Sequence, residues 1–568
     1  MSEQDGTQAL SRHHPPRDDK EAWKAYWKEQ GQPWRTEPEV DRERQHQLMV
    51  SQTTIPDIEK GSYPFKGIRL SRADVEWLLS MQEETRGQHH GSPDGRQKRP
   101  GLDLRGADLS EINLSGLPLT HLRAGLSLEE GRHATVVQSQ AAAANLMKAD
   151  LSSAHLQEAD LSWVLLNNAI LLEAHLQGAD LGKASLKQAI LAGTHLEGAD
   201  LTKAHLEGAT LLEAHLEGAA LQGAYLEGAN LLEAHLEGAK LHGAHLEAAN
   251  LVDVHLGGKA LSADEIKHLR EWAPRLPAIL PAADLRGVFL DSRTNLSRLN
   301  PGNEQYGFIS LADVHWNDVN LTVLDWKQLK RLGDEDLVHQ RPMEAGEEER
   351  SRKGEQHSSD HAGHAIAVML RAQEVSDVVI SYVSRSPVLM KRLQERLERD
   401  KSDQQQSQQK YRLERYQAAV RANRQLAVVL RSQGLNEAAD RFAYRAQVLQ
   451  KQVFLSSGMR SFGSYLFSSF LDVLAGYGYR PGRTLIAYLL TITCFALAYY
   501  ALGKLGGSPI SPLAAGVISV ASFHGRGLFP AGFAPTFPMA VLGACEAIIG
   551  LTIEISFIAT FTQRYFGK

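Results

Sequence analysis

Leucine recurs at every fifth position from Leu146 to Leu256, without exception over 23 positions, and alanine stands two residues before almost every one. A period of five fits neither the 3.6-residue turn of an α-helix nor the two-residue alternation of a β-strand. The chain must therefore turn at each repeat and stack one coil on the next, with the alanine and leucine side chains directed inward.

The repeat has the form A-(D/N)-L-x-x, as in Ala149-Asp150-Leu151 and Ala229-Asn230-Leu231. This pattern resembles the pentapeptide-repeat family, and the resemblance implies a four-sided right-handed β-helix with four repeats in each coil. Weaker copies of the motif extend the predicted β-helix to residues 101–330. Ser262 and Glu265 form a capping-box pattern that predicts a helical insertion near residues 259–282.

Four repeats per coil would place residues twenty apart directly above one another, about 4.8 Å apart as in adjacent strands. One such column contains only histidine: His155, His175, His195, His215, His235 and His255. Six imidazoles in a row could titrate together near neutral pH or bind a transition metal. The simpler interpretation, which we favour from sequence, is a set of neutral stacked rings, so no metal site and no cofactor are predicted.

A second set of positions on the coil surface is apolar and forms the predicted packing face: Ile170, Leu172, Ile190, Leu212, Leu232 and Val252. This face could meet another subunit or the helices of the same chain. The sequence leaves both interpretations open. A further histidine cluster, His357, His361 and His364, lies in a charged linker and is expected to be solvated.

The charge of the repeats limits the partners they can bind. Residues 146–258 contain five lysines, no arginine and fifteen acidic residues, a balance of −10, so nucleic acid would be repelled. Some members of the family that this region resembles mimic duplex DNA and bind topoisomerase, and that role is a rival. The apolar C-terminal segments argue against it. We find no nucleotide-binding, hydrolase or zinc-protease motif and predict no catalytic residues.

The rest of the chain divides by composition. The start has no apolar segment typical of a secretory signal, and Cys494 and Cys545 both lie in apolar stretches, so we expect a cytoplasmic soluble part without disulfides. Ser71 and Asp74 predict a helix start. The predicted regions are a partly helical polar segment at 1–100, a charged linker and unassigned segment at 331–400, a helical hairpin at 401–458 and an interfacial amphipathic segment at 459–482.

Residues 483–568 are predicted to cross the membrane twice. Residues 484–502 are uncharged and long enough to cover roughly 28 Å as a helix. A second apolar run at 539–561 contains two charges, Glu546 and Glu554. Basic residues precede the first run and follow the second, so both ends are expected in the cytoplasm of a bacterium, with the chain multi-pass in its plasma membrane.

Between the two runs lies the sequence PLAAGVISVASFHGRGLFP. In it, an apolar helix-like segment leads into a glycine-rich turn and a proline. This order resembles the two-helix pore domain of the potassium-channel superfamily, with a re-entrant loop. The resemblance implies that the pore loop and filter contain Ser522, Phe523, His524, Gly525, Arg526 and Gly527. A ring of arginines would repel cations, which argues against potassium selectivity. Tyr479, Arg480 and Pro481, ahead of the first span, resemble the pore-like end of some bacterial pentapeptide-repeat proteins.

Ionisable residues inside a bilayer usually face a partner or a water-filled path. Glu546 could pair with Arg526, within one subunit or between neighbours; alternatively, one or both glutamates are protonated or lie near the interface. Two spans cannot enclose a pore, so a ring of subunits is required, and the resemblance implies a homotetramer in membrane lipid. The leading hypothesis is therefore an ion channel or channel-like pore with a cytoplasmic β-helix for assembly or sensing. The alternative is a non-conducting membrane scaffold whose β-helix binds proteins.

Overall fold

A computed structural model describes residues 14–87, 101–274, 276–339, 387–458, 461–479, 481–505, 510–525 and 537–565. The chain forms two compact units, residues 1–333 with 432–435, and residues 334–431 with 436–568. Arg480, Arg526, Gly527 and the histidine cluster at 357–364 lie outside the described residues.

Residues 14–87 contain three helices that lead into the first coil of the β-helix. They are α1 (Lys20–Glu29), α2 (Arg42–Gln52) and α3 (Arg72–Gly87). The predicted helix start is confirmed, because the Ser71 and Asp74 side chains each accept a hydrogen bond from the other's backbone N–H. Arg69 then pairs with Asp108 in parallel, so this segment joins the coil stack directly.

The β-helix has four repeats per coil, as predicted. Parallel bridges join residues twenty apart on each of the four faces, for example Asp160 to Asp180 and Ile170 to Ile190. Each leucine N–H donates to the coil below, as Leu171 does to the Ile190 carbonyl at 2.7 Å. The leucines of the repeat are at most 1% exposed and form a continuous column of core between coils. Burial of these side chains, together with the stacked backbone hydrogen bonds, stabilises the solenoid.

The corner between two faces requires one residue in the left-handed region of backbone space. This residue follows each leucine by two positions, and it is often glycine, as at Gly178, where φ is +68°. Elsewhere a longer side chain occupies the corner, as at Glu173, where φ is +53°. Non-glycine residues are strained there by about 1–2 kcal/mol each, which the ordered stack on either side offsets.

Three segments interrupt the regular coils within the described residues 101–339. The first contains α4 (Leu128–His133) and α5 (Val136–Ala142), each begun by a capping box. The second contains β1 (Lys259–Ala260), α6 (Ala263–Trp272) and β2 (Ile279–Leu280), with the predicted capping box at Ser262. The third is the hairpin of β3 (Gly302–Asn303) and β4 (Gly307–Phe308). The sequence predicted the second segment only.

The second unit is helical. Its elements in chain order are α7 (Gly333–His339), α8 (Pro387–Ser432), α9 (Asn436–Ser456), α10 (Phe462–Ala475), α11 (Pro481–Leu505), α12 (Pro512–Phe523) and α13 (Phe537–Tyr565). Helix α8 begins before the position 401 at which the sequence placed the start of the hairpin. Arg424 of α8 donates to Gln450 of α9 at 3.1 Å, and Lys451 of α9 forms a 2.6 Å ion pair with Asp472 of α10.

Among the described residues, two helical segments are long and apolar enough to cross a membrane, Gly482–Leu505 and Phe537–Ile558. They overlap the two predicted apolar runs, 484–502 and 539–561. Helix α12 has 12 residues, too few to cross a bilayer, and it packs against both α11 and α13.

Candidate functional site

The histidine column is a continuous stack of imidazole rings. From His155 to His255, neighbouring ring centroids lie 4.7–5.1 Å apart, and the ring planes diverge by 4–11°. This spacing follows from the distance between adjacent strands, because each ring stands on the same position of successive coils. The stacked arrangement predicted from the sequence is therefore present.

The column has two chemically different halves. Glutamine stands two residues after each of the first two histidines, at positions 157 and 177. Glutamate stands two residues after each of the next three, at positions 197, 217 and 237. Burial lowers the pKa of His175, and the neighbouring imidazoles lower it further. In the other half, the neighbouring Glu217 carboxylate, 3.7 Å from Nδ1, raises the pKa of His215. The Glu237 carboxylate, at the same distance, raises the pKa of His235.

The glutamates beside the histidines are buried by an interrupting segment. Glu197, Glu217 and Glu237 are 5–7% exposed. Lys259 lies 2.9 Å from Glu217 and 3.7 Å from Glu237. Burial would raise the pKa of Glu217, but the His215 imidazole 3.7 Å away and the Lys259 ammonium, which donates a hydrogen bond to the carboxylate, lower it to about 2.

The end of α6 and the polypeptide after it cover the corners that follow Gln177 and these glutamates. An added Cβ at Gly178 would lie 2.5 Å from the Trp272 carbonyl oxygen, and one at Gly218 would lie 2.2 Å from Leu276 Cδ1. Residues 272–274 and 276–281 therefore run along the corner glycines of successive coils. Glycine at position 178 avoids the backbone strain of this conformation and leaves room for the close approach of the Trp272 carbonyl.

The two candidate spans and the helix between them contain a second polar group of residues. Glu546 of α13 is fully buried, and its carboxyl group is in hydrogen-bonding contact with the Ser519 hydroxyl of α12, which also lies 3.0 Å from the Ile492 carbonyl oxygen. The predicted partner, Arg526, lies outside the described residues. Glu554 forms a side-chain hydrogen bond with His524, whose other ring nitrogen lies 3.2 Å from the Tyr488 hydroxyl.

The described members of the predicted pore loop lie at the end of α12. Ser522 and Phe523 are buried, and the Ser522 hydroxyl accepts a 3.3 Å hydrogen bond from Tyr499. His524 is the C-cap of α12, and Gly525 has φ +67°. Of the predicted motif before the first span, Tyr479 follows the 3₁₀ turn Gly476–Gly478 and Pro481 begins α11.

A family model described as pentapeptide repeats, eight copies long, matches residues 144–182, 179–218 and 219–258. The chain is a pentapeptide-repeat protein. Among solved structures, it is 26% identical to the pentapeptide-repeat protein HetL from the cyanobacterium Nostoc, over 44% of this chain and 95% of HetL, with a TM-score of 0.25. It is 32% identical to a pentapeptide-repeat protein of the Arabidopsis thaliana thylakoid lumen, over 18% and 72% of the two chains, with a TM-score of 0.14.

The fluoroquinolone resistance protein QnrB1, which is plasmid-mediated, is 20% identical over 34% of this chain and 87% of its own, with a TM-score of 0.20. No curated protein matches the sequence at a significant level. The matched pentapeptide repeats end at residue 258, so the helices from residue 333 onward lie outside them.

The pentapeptide-repeat β-helix has a second ring stack that the sequence interpretation missed. His205, Tyr225, His245, Phe289 and His315 stack with centroids 4.2–5.1 Å apart. The first three members are twenty residues apart in the sequence, which is a detectable signal. The α6 insertion and the hairpin shift the last two, so the column is not visible as a simple period.

The predicted packing face of the pentapeptide repeats is accessible within its unit. Leu172 and Ile190 are exposed, and the remaining members are partly exposed: Ile170, Leu212, Leu232 and Val252. Ile170 and Ile190 pair on adjacent coils. The face is thus an apolar strip along the solenoid, and its role as an oligomer or partner contact stays a prediction.

Proposed function

We propose that this protein is an oligomeric, channel-like membrane pore whose soluble pentapeptide-repeat β-helix serves for assembly or sensing. The observation that carries the proposal is the half-length helix α12 between the two candidate spans. At 1.5 Å per residue it covers about 18 Å, against about 30 Å for the hydrocarbon layer. An added Cβ at Gly550, near the middle of α13, would meet the Phe523 carbonyl at the end of α12. This supports a helix that enters the membrane and turns back, which a simple anchor does not need.

The polar residues at the end of α12 support the same function. Charged side chains inside hydrocarbon are unfavourable and are generally kept for a functional reason. The His524 and Glu554 side chains are 36% and 35% exposed in the single chain. They are therefore available to line an axis between subunits. Glu546 is enclosed within one subunit, where its contact with Ser519 supports the packing of α12 on α13.

Several subunits are required, because two spans cannot surround a pore. Little of either candidate span is buried within one chain, 6% of the first and 17% of the second, which leaves large faces for lipid or neighbouring copies. We propose a homotetramer in a bacterial plasma membrane with the soluble part in the cytoplasm. In the chain, α8, α9 and α10 lie between the β-helix and the two spans, and we place α10 at the membrane interface. Arg526 argues against potassium as the conducted ion.

The second candidate is a non-conducting, membrane-anchored scaffold. The apolar strip on the pentapeptide repeats favours it, because an exposed apolar surface on a regular solenoid is suited to binding proteins. In this function the spans need not form a path for ions.

Reconstitution in planar bilayers separates the two candidates. A pore predicts currents that change in amplitude or ion preference in Glu554→Gln and Arg526→Ala. Glu233→Gln, an equivalent change on an exposed corner of the solenoid, should leave them unchanged. The subunit number is measured by imaging the protein in detergent. A ring-shaped oligomer that passes no current with any tested ion or pH would refute the pore and favour the scaffold.

A further inference from the structure

At one end of the histidine column, a buried glutamate lies beside two of the stacked rings, so that nitrogen and oxygen ligand atoms are close together. At the end of the column, the ring nitrogens of His235 and His255 and a carboxylate oxygen of Glu237 all lie within 4.8 Å of one another. Glu237 is 5% exposed. Its Oε2 atom, and Nδ1 of His235, accept or donate no hydrogen bond among the residues that the structure describes. A buried carboxylate oxygen without a donor is unfavourable by several kcal/mol in general, unless a cation or a donor compensates it.

We propose that His235, Glu237 and His255 form a binding site for a divalent transition-metal ion of the Zn²⁺ class. Two imidazoles and one carboxylate are a ligand set that Zn²⁺, Co²⁺ and Ni²⁺ favour, whereas Mg²⁺ and Ca²⁺ prefer oxygen ligands. The burial of Glu237, which the sequence does not reveal, is the reason to depart from the expectation of inert stacked rings.

The site requires only side-chain movement. Two nitrogen ligands on a tetrahedral ion lie about 3.4 Å apart. The ligand atoms of His235, Glu237 and His255 lie within 4.8 Å of one another, so only a small approach is needed. The His235 and His255 rings have centroids 4.7 Å apart, and their planes diverge by 11°, the largest divergence between neighbours in this column. Both rings are partly exposed, so they can tilt toward a shared ion without moving the backbone.

Two features favour this end of the column over the rest. The position below Glu237 in the next coil is Gly257, which has no side chain to contact the carboxylate. Lys259 lies 3.7 Å from Glu237 but 2.9 Å from Glu217, so its ammonium competes less with a cation at Glu237. His155 and His175 are followed by glutamine, and they provide an internal control without a carboxylate.

The test uses the full-length protein in detergent, without an affinity tag and stripped by chelator. His357, His361 and His364 are replaced by alanine, so that the other histidine cluster does not bind metal. Zn²⁺ binding is measured by calorimetry and by metal content after dialysis. Co²⁺ gives an independent readout, because its visible absorption bands report nitrogen and oxygen ligation. Melting temperatures in the presence of chelator show whether each variant folds.

We expect one tightly bound Zn²⁺ per chain, and at least roughly tenfold weaker binding in both Glu237→Gln and His255→Gln. His175→Gln, which changes the same column next to Gln177, should bind as the parent does. Lys259→Met should bind more tightly, because it removes a positive charge near the ion. The proposal is overturned if the parent binds no Zn²⁺, or if His175→Gln weakens binding as much as His255→Gln. It is also overturned if folded Glu237→Gln binds Zn²⁺ and gives the parent's Co²⁺ spectrum unchanged.

Discussion

Replacing Gly178 by alanine tests whether the interrupting segment is held against the corner of the β-helix. The added methyl group would lie 2.5 Å from the Trp272 carbonyl oxygen, a backbone atom at the end of α6. At Gly228, a corner of the same solenoid, no atom outside its chain neighbours lies within 4 Å of the corresponding position. The two glycines have φ of +68° and +67°. Gly228→Ala therefore introduces the same backbone strain without the clash.

The expected losses of stability follow from the backbone strain and from the clash. Alanine in the left-handed region should destabilise either variant by about 1–2 kcal/mol. Only Gly178→Ala must also move a backbone carbonyl, and overpacking of this kind adds about 1–3 kcal/mol. Since Trp272 belongs to the insertion rather than to the coils, the strain is relieved by lifting α6 away from the corner. The core leucines need not move.

Limited trypsin digestion and thermal unfolding separate the effect of the backbone strain from that of the clash. Lys267 and Arg270 are exposed on α6, but cleavage there requires the helix to open locally. Cleavage at these residues should be several-fold faster in Gly178→Ala than in the parent, and the parent rate should persist in Gly228→Ala. Equal melting temperatures and equal cleavage rates for the two variants would refute the packing of Trp272, at the end of α6, on this corner.

Three further predictions concern stability. Leu206→Ala removes a fully buried core side chain and should destabilise the β-helix by about 3 kcal/mol in denaturant unfolding, whereas Leu172→Ala on the exposed strip should change it by less than about 1 kcal/mol. Burial raises the pKa of Asp180 to about 6, so the folded state loses stability as the pH rises from the unfolded pKa to about 6. Asp180→Asn should therefore melt at a higher temperature than the parent at pH 7, and at the same temperature as the parent near pH 3. Lys451→Met removes the 2.6 Å ion pair with Asp472. It should lower the free energy of unfolding of the helical unit by about 1 kcal/mol in thermal unfolding.

The coil geometry could be predicted because one local rule repeats. Each leucine and the alanine before it must face inward, and the small alanine limits how wide the coil can be. Residues twenty apart therefore align wherever the repeat is unbroken, as from Leu146 to Leu256. The histidine stack follows from this alignment alone, since its six members all lie within the unbroken repeats.

The interruptions could be predicted only where their helix signals were recognised. Ser262 with Glu265 gave such a signal. Ser127 with Glu130 and Thr135 with Gln138 are equivalent capping boxes, and they begin α4 and α5. The hairpin after Asn300 has no comparable pattern. Because each interruption changes the spacing between coils, Phe289 and His315 could not be assigned to the second ring stack from spacing alone.

The partners of the two glutamates in the second candidate span could not be predicted either. The sequence places Glu546 and Glu554 in the second span, but a helix can turn either residue toward lipid, a neighbouring helix or another subunit. Their contacts with Ser519 and His524 depend on how α12 lies between the spans. That packing is set by small residues such as Gly550, which allows the Phe523 carbonyl to approach.

One tetrapeptide that occurs more than once shows that the surroundings of a repeat, rather than its sequence, determine the chemistry of its side chains. His-Leu-Glu-Gly occurs at residues 205–208 and again at 215–218. The Glu207 side chain is 28% exposed, whereas that of Glu217 is 6% exposed, because Lys259 and the chain after α6 lie against the second copy. Identical residues thus provide a solvated ion pair on one face and a buried, strongly acidic group on another. New chemistry on so regular a solenoid should therefore be sought where an interruption covers a face, and Glu237, with its two neighbouring imidazoles, lies at such a place.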